Sequence, residues 1–182
     1  MSIEQDIAKR LKQGDSQAEK LLYETYAGWL LGVCLRYVGD RATAQDLMHD
    51  GFLQILMTCR HFRWQGEGSL KAWLFKVQQN VILMHLRKQH QLSETLPIDD
   101  MLADEIPEPE TTRYIPQKEL MKMIAELPPG YRTVFNMYVI DGHSHKEIAQ
   151  MLGIQEKSSA SQLVHAKRLL AARINLWRKE NL

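Results

Sequence analysis

Apolar residues recur at helical spacing along most of this 182-residue chain, and the pattern is lost over a long stretch only between residues 91 and 116. That stretch, QLSETLPIDDMLADEIPEPETTRYIP, contains four prolines and no sustained apolar face, which is typical of a linker. No segment alternates apolar and polar residues between hairpin turns, as a strand would. The sequence therefore predicts an all-α protein, with two small helical domains (residues 1–90 and 117–182) joined by an acidic flexible linker.

Charge is distributed unevenly, although the formal net charge of the whole chain is only +1. Residues 1–90 carry 12 basic and 9 acidic side chains, and residues 117–182 carry 10 and 6. The connecting segment carries 7 acidic side chains and one basic side chain, Arg113. Two basic modules on an acidic tether are compatible with a nucleic-acid partner, which an evenly spread charge of +1 would argue against.

The sequence contains no segment expected to enter a membrane. No apolar run approaches the roughly 20 residues that span a bilayer, and the N-terminus lacks the apolar part of a signal peptide. Cys34 and Cys59 lie in apolar helical stretches without CxxC spacing or a disulfide pattern, so we expect reduced, buried thiols. These features predict a cytoplasmic protein.

Helix boundaries are marked by familiar capping residues. Asp15, Asp40 and Ser69 each stand directly before a run with helical periodicity, where a side-chain oxygen can accept from first-turn amides. Gly39 marks the end of one of these helices, and the stretch from Trp64 to Gly68 marks the end of another. We therefore expect three helices within residues 15–90.

The stretch from Ser144 to Leu170, SHKEIAQMLGIQEKSSASQLVHAKRLL, predicts two helices around a tight turn. Ser144 and Glu147 form the S-x-x-E pattern of a capping box, in which each side chain accepts from a backbone amide at the helix start. Gly153 supplies the left-handed residue that ends the first helix. A helix-turn-helix requires this set of signals.

The second of these helices has an outward face of small, polar and basic residues. At 100° per residue, Leu163, Ala166 and Leu170 fall within about 60° of one another and form the inward stripe. The residues that then point outward are Lys157, Ser158, Ser161, His165 and Arg168. This face suits close approach to base edges and phosphates, and an ordinary solvated face is the alternative. Ser159 falls on the inward side, where an apolar β-branched residue would pack better.

Several stretches together resemble the sigma-70 family of bacterial transcription initiation factors, in its small extracytoplasmic-function (ECF) class. LPPGYRTVFNMYVIDGHSHKEIAQMLGI, followed by a long basic helix, resembles region 4. IAKRLKQGDSQAEKLLYETYAGWLLGVCLRYV resembles the opening of region 2, and DRATAQDLMHDGFLQIL resembles its polymerase-docking helix. WQGEGSLKAWLFKVQQNVILMHLRK resembles the segment that melts and reads the −10 element. The match covers nearly the whole chain outside the linker, in the family's order.

The resemblance implies a polymerase-binding helix from Arg41 to Thr58, which would bind the clamp helices of the largest RNA polymerase subunit. The matching positions are Asp46, Leu47, His49, Asp50 and Gln54. His49 stands where the family usually has glutamine. Core packing is the alternative for Leu47 and the preferred interpretation for Phe52 and Ile55. Further partners implied by the family are the flap of the second-largest polymerase subunit and an anti-sigma factor.

By the same resemblance, the loop from Arg63 to Ser69 would pocket a base flipped from the nontemplate strand, and the helix after it would contact that strand. Aromatic rings, small loop residues and cations bind single-stranded bases. The candidate residues are Trp64, Gly66, Glu67, Gly68, Ser69, Trp73, Asn80, Arg87 and Lys88. Trp73 is equally compatible with a core tryptophan.

The helix from Lys157 onward would read the −35 element in the major groove. The candidates for base and phosphate contacts are Lys157, Ser158, Ser161, Gln162, His165 and Arg168. The family often has basic residues where this chain has Ala160 and Gln162. Recognition is therefore expected to depend less on arginine–guanine pairs than is usual in the family.

Other function classes have little support in the residues. No zinc-ligand spacing, Gly-rich phosphate loop, nucleophile motif or paired carboxylates appear, so we expect neither an enzyme nor a cofactor or metal site. A stand-alone helix-turn-helix regulator is the alternative function. Such a protein would usually dimerise on a palindrome, whereas this chain carries two unlike basic modules. The sequence therefore favours a sigma factor that directs polymerase core to −35/−10 promoters and assists melting.

Overall fold

The computed structural model of the protein describes residues 2–92 and 115–181, and every regular element in these ranges is helical. The prediction of an all-α fold is confirmed. Most of the segment interpreted as an acidic linker, residues 93–114, lies outside the described residues. The chain divides into two compact units after Lys88. In the part of the chain that the structure describes, no helix is long and apolar enough to cross a membrane.

Unit 1, the N-terminal unit, contains four α-helices: α1 (Ile3–Lys12), α2 (Ser16–Val38), α3 (Arg41–Thr58) and α4 (Ser69–Leu92), with a 3-10 turn at Cys59–His61. Two of the three predicted caps are present. Asp15 accepts from the Gln17 amide at 2.9 Å, and Asp40 accepts from the Thr43 amide at 2.8 Å. The cap predicted at Ser69 is wrong, because Ser69 is already the first residue of α4 and its hydroxyl bonds to Gly66 and Gln65 of the preceding loop. Gly39 adopts the left-handed conformation that ends α2, which is why the chain can turn sharply into α3.

The core of unit 1 forms where α2 packs against α3 and α1 packs against α2. Its fully buried side chains come from all four helices and include Ile7, Leu22, Leu30, Tyr37, Ile55, Leu74 and Ile82. Each buried aliphatic side chain contributes about 1.5–3 kcal/mol to folding by leaving water. Phe52 and Ile55 belong to this core, as predicted.

Helix α4 is tied to the other helices of unit 1 by two buried glutamines. The Gln78 amide donates to the Leu47 carbonyl of α3 at 2.7 Å, and the Gln79 amide donates to the Tyr37 hydroxyl of α2 at 3.2 Å. The Gln78 side chain lies against α3 at Gly51. A β-carbon at position 51 would lie only 2.0 Å from the Gln78 Oε1 atom. The absent side chain of Gly51 therefore provides the space for this polar contact.

Unit 2, the C-terminal unit, contains α5 (Gln117–Ala125), α6 (Pro129–Phe135), a π-helical turn (Asn136–Ile140), α7 (His145–Leu152) and α8 (Glu156–Asn181). The predicted capping box is present at the start of α7. The Glu147 amide donates to Ser144 Oγ at 3.3 Å, and the Ser144 amide donates to Glu147 Oε2 at 2.8 Å. Hydrogen bonds from the Ser144 amide and hydroxyl lower the pKa of Glu147 below its usual value. Gly153 is left-handed, as predicted, so α7 and α8 form a helix-turn-helix.

Helix α8 is the central helix of unit 2 and packs against α5, α6 and α7. One buried cluster joins α5 to α8 and contains Met123, Ile124, Leu127, Ala166 and Leu170. Farther along α8, the Arg173 guanidinium donates to the carbonyls of Met123 (2.9 Å) and Glu126 (3.1 Å). A cation at the end of α5 satisfies carbonyls that have no partner within their own helix. The C-terminal half of α8 therefore fixes α5.

Candidate nucleic-acid interfaces

A groove between α3 and α4 brings together residues that the sequence assigned to two different partners. It encloses about 840 Å³. Asp50 and Gln54, predicted to bind polymerase, line it from α3. Three residues predicted to bind the −10 strand line it from α4, namely Trp73, Asn80 and Lys88. The two predicted sites are therefore adjacent parts of one surface.

The predicted polymerase-binding residues of α3 differ in their exposure. Asp46, His49, Asp50 and Gln54 are exposed, whereas Leu47 is only 4% exposed and forms part of the groove floor. Sequence reasoning missed the large apolar side chains beside them, since Leu53 is 59% exposed and Met57 is 67% exposed. The helical period could have identified these two residues, because both lie outside the buried stripe of α3. The face of α3 thus combines acidic and apolar groups, a composition suited to a protein interface.

The loop before α4 has a defined backbone conformation. Gly66 (φ 116°) and Gly68 (φ 82°) occupy positive-φ conformations that strongly favour glycine. The Ser69 hydroxyl donates to the Gly66 carbonyl at 2.6 Å and accepts from the Gln65 amide at 3.3 Å. Glu67 is exposed and Trp64 is half-buried. The candidate loop therefore presents its tip to solvent while Ser69 holds its base.

The remaining −10 candidates lie along α4. Asn80, Arg87 and Lys88 are exposed, as a strand-contacting face requires. Trp73 is half-buried and packs against Phe62, with ring centroids 5.2 Å apart. Trp73 thus combines partial core packing with a surface in the groove, which is compatible with both interpretations of this residue.

A second aromatic group on unit 1 was missed by sequence reasoning. Lys71 Nζ lies 5.0 Å from the centre of the Trp29 ring, and the centre of the Phe75 ring lies 6.4 Å from that of Trp29. Trp29 and Phe75 are half-buried. The electrostatic attraction between a cation and the face of an aromatic ring stabilises such a pair. No signal in the sequence pairs Trp29 with Lys71, because they are distant in the chain and meet only when α4 packs on α2.

In unit 2, the predicted −35 residues lie on one side of α8. Lys157 and Ser161 are exposed, while Ser158, Gln162, His165 and Arg168 are half-buried. A shallow pocket of about 270 Å³ on this face is lined by Lys157, Ser158, Ser161, Gln162 and His165, together with Gln155 and Tyr131. The inward stripe of Leu163, Ala166 and Leu170 is buried, as predicted. The orientation of α8 thus agrees with the sequence prediction.

Tyr131 is a residue of this face that sequence reasoning missed. Its ring stacks on the His165 imidazole, with centroids 5.5 Å apart and planes 15° apart. The residue before it, Gly130, lies close to Gln162, whose Oε1 atom would be 3.1 Å from a β-carbon at position 130. The start of α6 therefore restricts the positions of two −35 candidates, His165 and Gln162.

Ser159 is fully buried and forms a polar contact that explains its place on the inward side. Its hydroxyl lies 2.9 Å from His145 Nδ1, at the start of α7. The His145 ring stacks on Tyr138, with centroids 4.4 Å apart. The expectation that an apolar residue would pack better overlooked this hydrogen bond, which joins the two helices of the helix-turn-helix.

The cysteines lie in the core of unit 1. Neither Cys34 nor Cys59 is in a disulfide, and both are buried, as predicted. Burial raises the pKa of the Cys34 thiol to about 12 and also raises the pKa of Cys59. Thiols held protonated in this way are poor nucleophiles and metal ligands. Within residues 2–92 and 115–181, no group of three His, Cys, Asp or Glu side chains has the arrangement of a metal site.

Two family models match the chain. Sigma-70 region 2 matches residues 22–91, and Sigma-70 region 4 matches residues 117–170. The chain is 25% identical over 175 residues to the RNA polymerase sigma-H factor of Pseudomonas aeruginosa, covering 90% of each protein. It is 23% identical over 185 residues to the ECF RNA polymerase sigma-E factor of Haemophilus influenzae, covering 94% of this chain and 95% of that protein.

A solved structure shares the fold. The sigma factor RpoE of Bartonella quintana, in complex with the anti-sigma factor NepR, matches with a TM-score of 0.50 and 18% identity, over 86% of this chain and 96% of that one. The two sigma-70 regions lie in this chain in the family's order and together cover more than half of it. The chain therefore belongs to the sigma-70 family, in its extracytoplasmic-function class.

Proposed function

We propose that this sigma factor binds RNA polymerase core, directs it to promoters with −35 and −10 elements, and assists strand separation. The observation that carries the proposal is the pairing of two unlike modules in one chain. One module is a capped helix-turn-helix with a polar outward face, and the other is a helical unit with a strand-binding candidate loop. We assign residues 1–90 to region 2, residues 91–116 to a linker and residues 117–182 to region 4.

The polymerase-binding surface that we propose is the outer face of α3. Its exposed carboxylates, Asp46 and Asp50, would attract a basic helical partner, and the exposed apolar side chains Leu53 and Met57 would supply buried area. In the family this partner is the pair of clamp helices on the largest polymerase subunit. The flap of the second-largest subunit would contact unit 2.

For the −10 element, the proposed elements are the loop from Arg63 to Ser69 and the exposed side of α4. A flipped base would enter the loop, while Asn80, Arg87 and Lys88 would contact the same strand. The sigma factor would perform no bond chemistry. It would stabilise the open strand by binding single-stranded bases, and the polymerase would catalyse RNA synthesis.

For the −35 element, the outward face of α8 would enter the major groove. Lys157 and Arg168 suit phosphate or guanine contacts, and Ser158, Ser161 and Gln162 suit base edges. Tyr131 would hold His165 in one orientation through the stacked contact. Recognition would then depend on shape and on short polar contacts more than on arginine.

An anti-sigma factor is a proposed regulatory partner, and the cytoplasm is the proposed location of the protein. The structural neighbour from Bartonella quintana is described in complex with an anti-sigma factor. The exposed apolar side chains of α3, of which Met57 is 67% exposed, suit a further protein partner as well as polymerase. Binding of an inhibitor to this face would exclude the polymerase directly.

Transcription in vitro from a pool of random promoter fragments tests the proposal. Core polymerase from the same organism is assayed with and without the protein. Starts that depend on the protein and share a −35/−10 motif are the expected result. Duplex binding by the free protein, without any protein-dependent start, would instead identify a stand-alone helix-turn-helix regulator.

A further inference from the structure

Glu4, in the first turn of α1, connects three separate elements of unit 1. Its Oε2 atom accepts from the Gly68 amide at 2.8 Å, and its Oε1 atom accepts from the Tyr26 hydroxyl of α2 at 3.0 Å. Glu4 and Gly68 are 64 residues apart in the chain. The carboxylate therefore joins the N-terminal helix to the candidate −10 loop.

The helices that carry Glu4 and Tyr26 are both packed into the core of unit 1. Helix α1 buries Ile7, Ala8 and Leu11 in the core. Tyr26 is only 7% exposed, so its hydroxyl is a fixed donor. Hydrogen bonds to a carboxylate are roughly twice as strong as neutral ones. Glu4 thus connects one end of the loop to two helices that are packed in the core.

Gly68 is held through both of its backbone groups: its carbonyl accepts from the Ala72 amide at 3.0 Å at the start of α4, and its amide donates to Glu4. Phe62 and Leu70 are buried and fix the two ends of the segment, and the Ser69 hydroxyl fixes Gly66. Gly68 has no side chain of its own, and its φ of 82° lies in the positive region that glycine populates about as readily as the negative one. The hydrogen bond to Glu4 restrains the peptide group between Glu67 and Gly68.

We propose that Glu4 is a positioning residue for the −10-reading loop, which holds the Gly68 amide so that the loop keeps the shape that selects the flipped base. The inference rests on the proposed function, because it deepens the role given to the Arg63–Ser69 loop. Glu4 does not contact the base in this mechanism. It acts through the backbone of Gly68.

The experiment uses the full chain with polymerase core and a set of four promoters that differ only at the flipped base. Initiation rates are compared for wild type, Glu4→Ala, Glu4→Gln and a matched control, Gln5→Ala. Gln5 is exposed in the same turn of α1. Helical content and binding to core are measured for each variant, and Glu4→Gln, which keeps acceptor geometry, carries the test if Glu4→Ala does not fold.

The expected result is a loss of discrimination rather than a uniform loss of activity. Removal of a charge-assisted hydrogen bond should reduce the preference between the best and worst base by about fivefold to tenfold in Glu4→Ala. Glu4→Gln should lose less, because its carbonyl oxygen still accepts from Gly68. Gln5→Ala should keep the wild-type preference and the wild-type affinity for core.

Three outcomes would overturn the inference. Equal losses on all four promoters would show that Glu4 only stabilises the fold, and an unchanged preference in both Glu4 variants would show that the loop holds its shape alone. Equal initiation by the wild-type protein from all four promoters would show that the loop selects no base, which leaves Glu4 no preference to maintain. A wild-type protein that supports no initiation anywhere would overturn the proposed function, and this result is distinguishable from the other three.

Discussion

Replacement of Gly51 by alanine tests how α4 is held on α3. An added β-carbon would lie 2.0 Å from Gln78 Oε1 and 2.5 Å from Gln78 Nε2, so the amide must leave its place. Its 2.7 Å hydrogen bond to the Leu47 carbonyl would then be lost. A buried hydrogen-bonding group left without its partner costs about 1–3 kcal/mol, and an overpacked core costs about 1–3 kcal/mol more.

Alanine also has a favourable effect at this position, because it is a better helix former than glycine by about 1 kcal/mol. The free energy of unfolding of unit 1 should therefore fall by a net amount of about 1–5 kcal/mol. Gln78→Ala removes the side chain that the new methyl group meets. The double variant should accordingly be more stable than the sum of the single effects predicts, by about 0.5–3 kcal/mol.

Urea denaturation followed by tryptophan fluorescence measures these values. In a Trp177→Phe background the signal comes only from unit 1, which contains the other three tryptophans, Trp29, Trp64 and Trp73. The four members of the cycle are wild type, Gly51→Ala, Gln78→Ala and the double variant. A Gly51→Ala protein as stable as wild type, or a cycle with no coupling energy, would refute the conclusion that this contact sets the packing of α4.

Three further predictions concern the interfaces and their supports. Replacement of Arg87 and Lys88 by alanine should weaken open-complex formation on all promoters and reduce the slope of log affinity against log salt by about 1–2; an unchanged slope would exclude both from the DNA path. Ser159→Ala should destabilise unit 2 by about 1 kcal/mol, because His145 loses its hydrogen bond, and Ser159→Val should not restore stability in urea denaturation. The pKa of Glu147 is lowered in the folded state, so its contribution is present at neutral pH and is lost as the pH falls below its usual value of 4.5. In Glu147→Gln the melting temperature should therefore fall less steeply than in wild type as the pH is lowered below 4.5. Parallel curves of melting temperature against pH for variant and wild type would contradict this reasoning.

The sequence predicted those features that depend on neighbouring residues. Caps are local, so Asp15, Asp40 and the Ser144–Glu147 box could be placed from residue type and spacing. The buried stripe of α8 followed from the helical period, and the structure buries Leu163 and Leu170 as expected. The family models then match both regions that the quoted stretches resemble.

Features that depend on contacts between distant segments were not predictable. The hydrogen bond from Gly68 to Glu4 joins residues 64 positions apart, and the contact of Gln78 with α3 exists only in the packed unit. Ser159 was read as a poor core residue because its partner, His145, lies on another helix. The π-helical turn Asn136–Ile140 also lacked a signal, since its period differs only slightly from that of the α-helix around it.

The groove between α3 and α4 constrains how the sequence of this protein can evolve. Asp50 and Gln54 share its walls with Asn80 and Lys88. A substitution on one wall also alters the surroundings of the other wall. Under the proposed function, a single substitution in the groove would therefore change both promoter preference and affinity for polymerase core. Genetic screens that score only one of these traits would assign residues of this groove to the wrong partner.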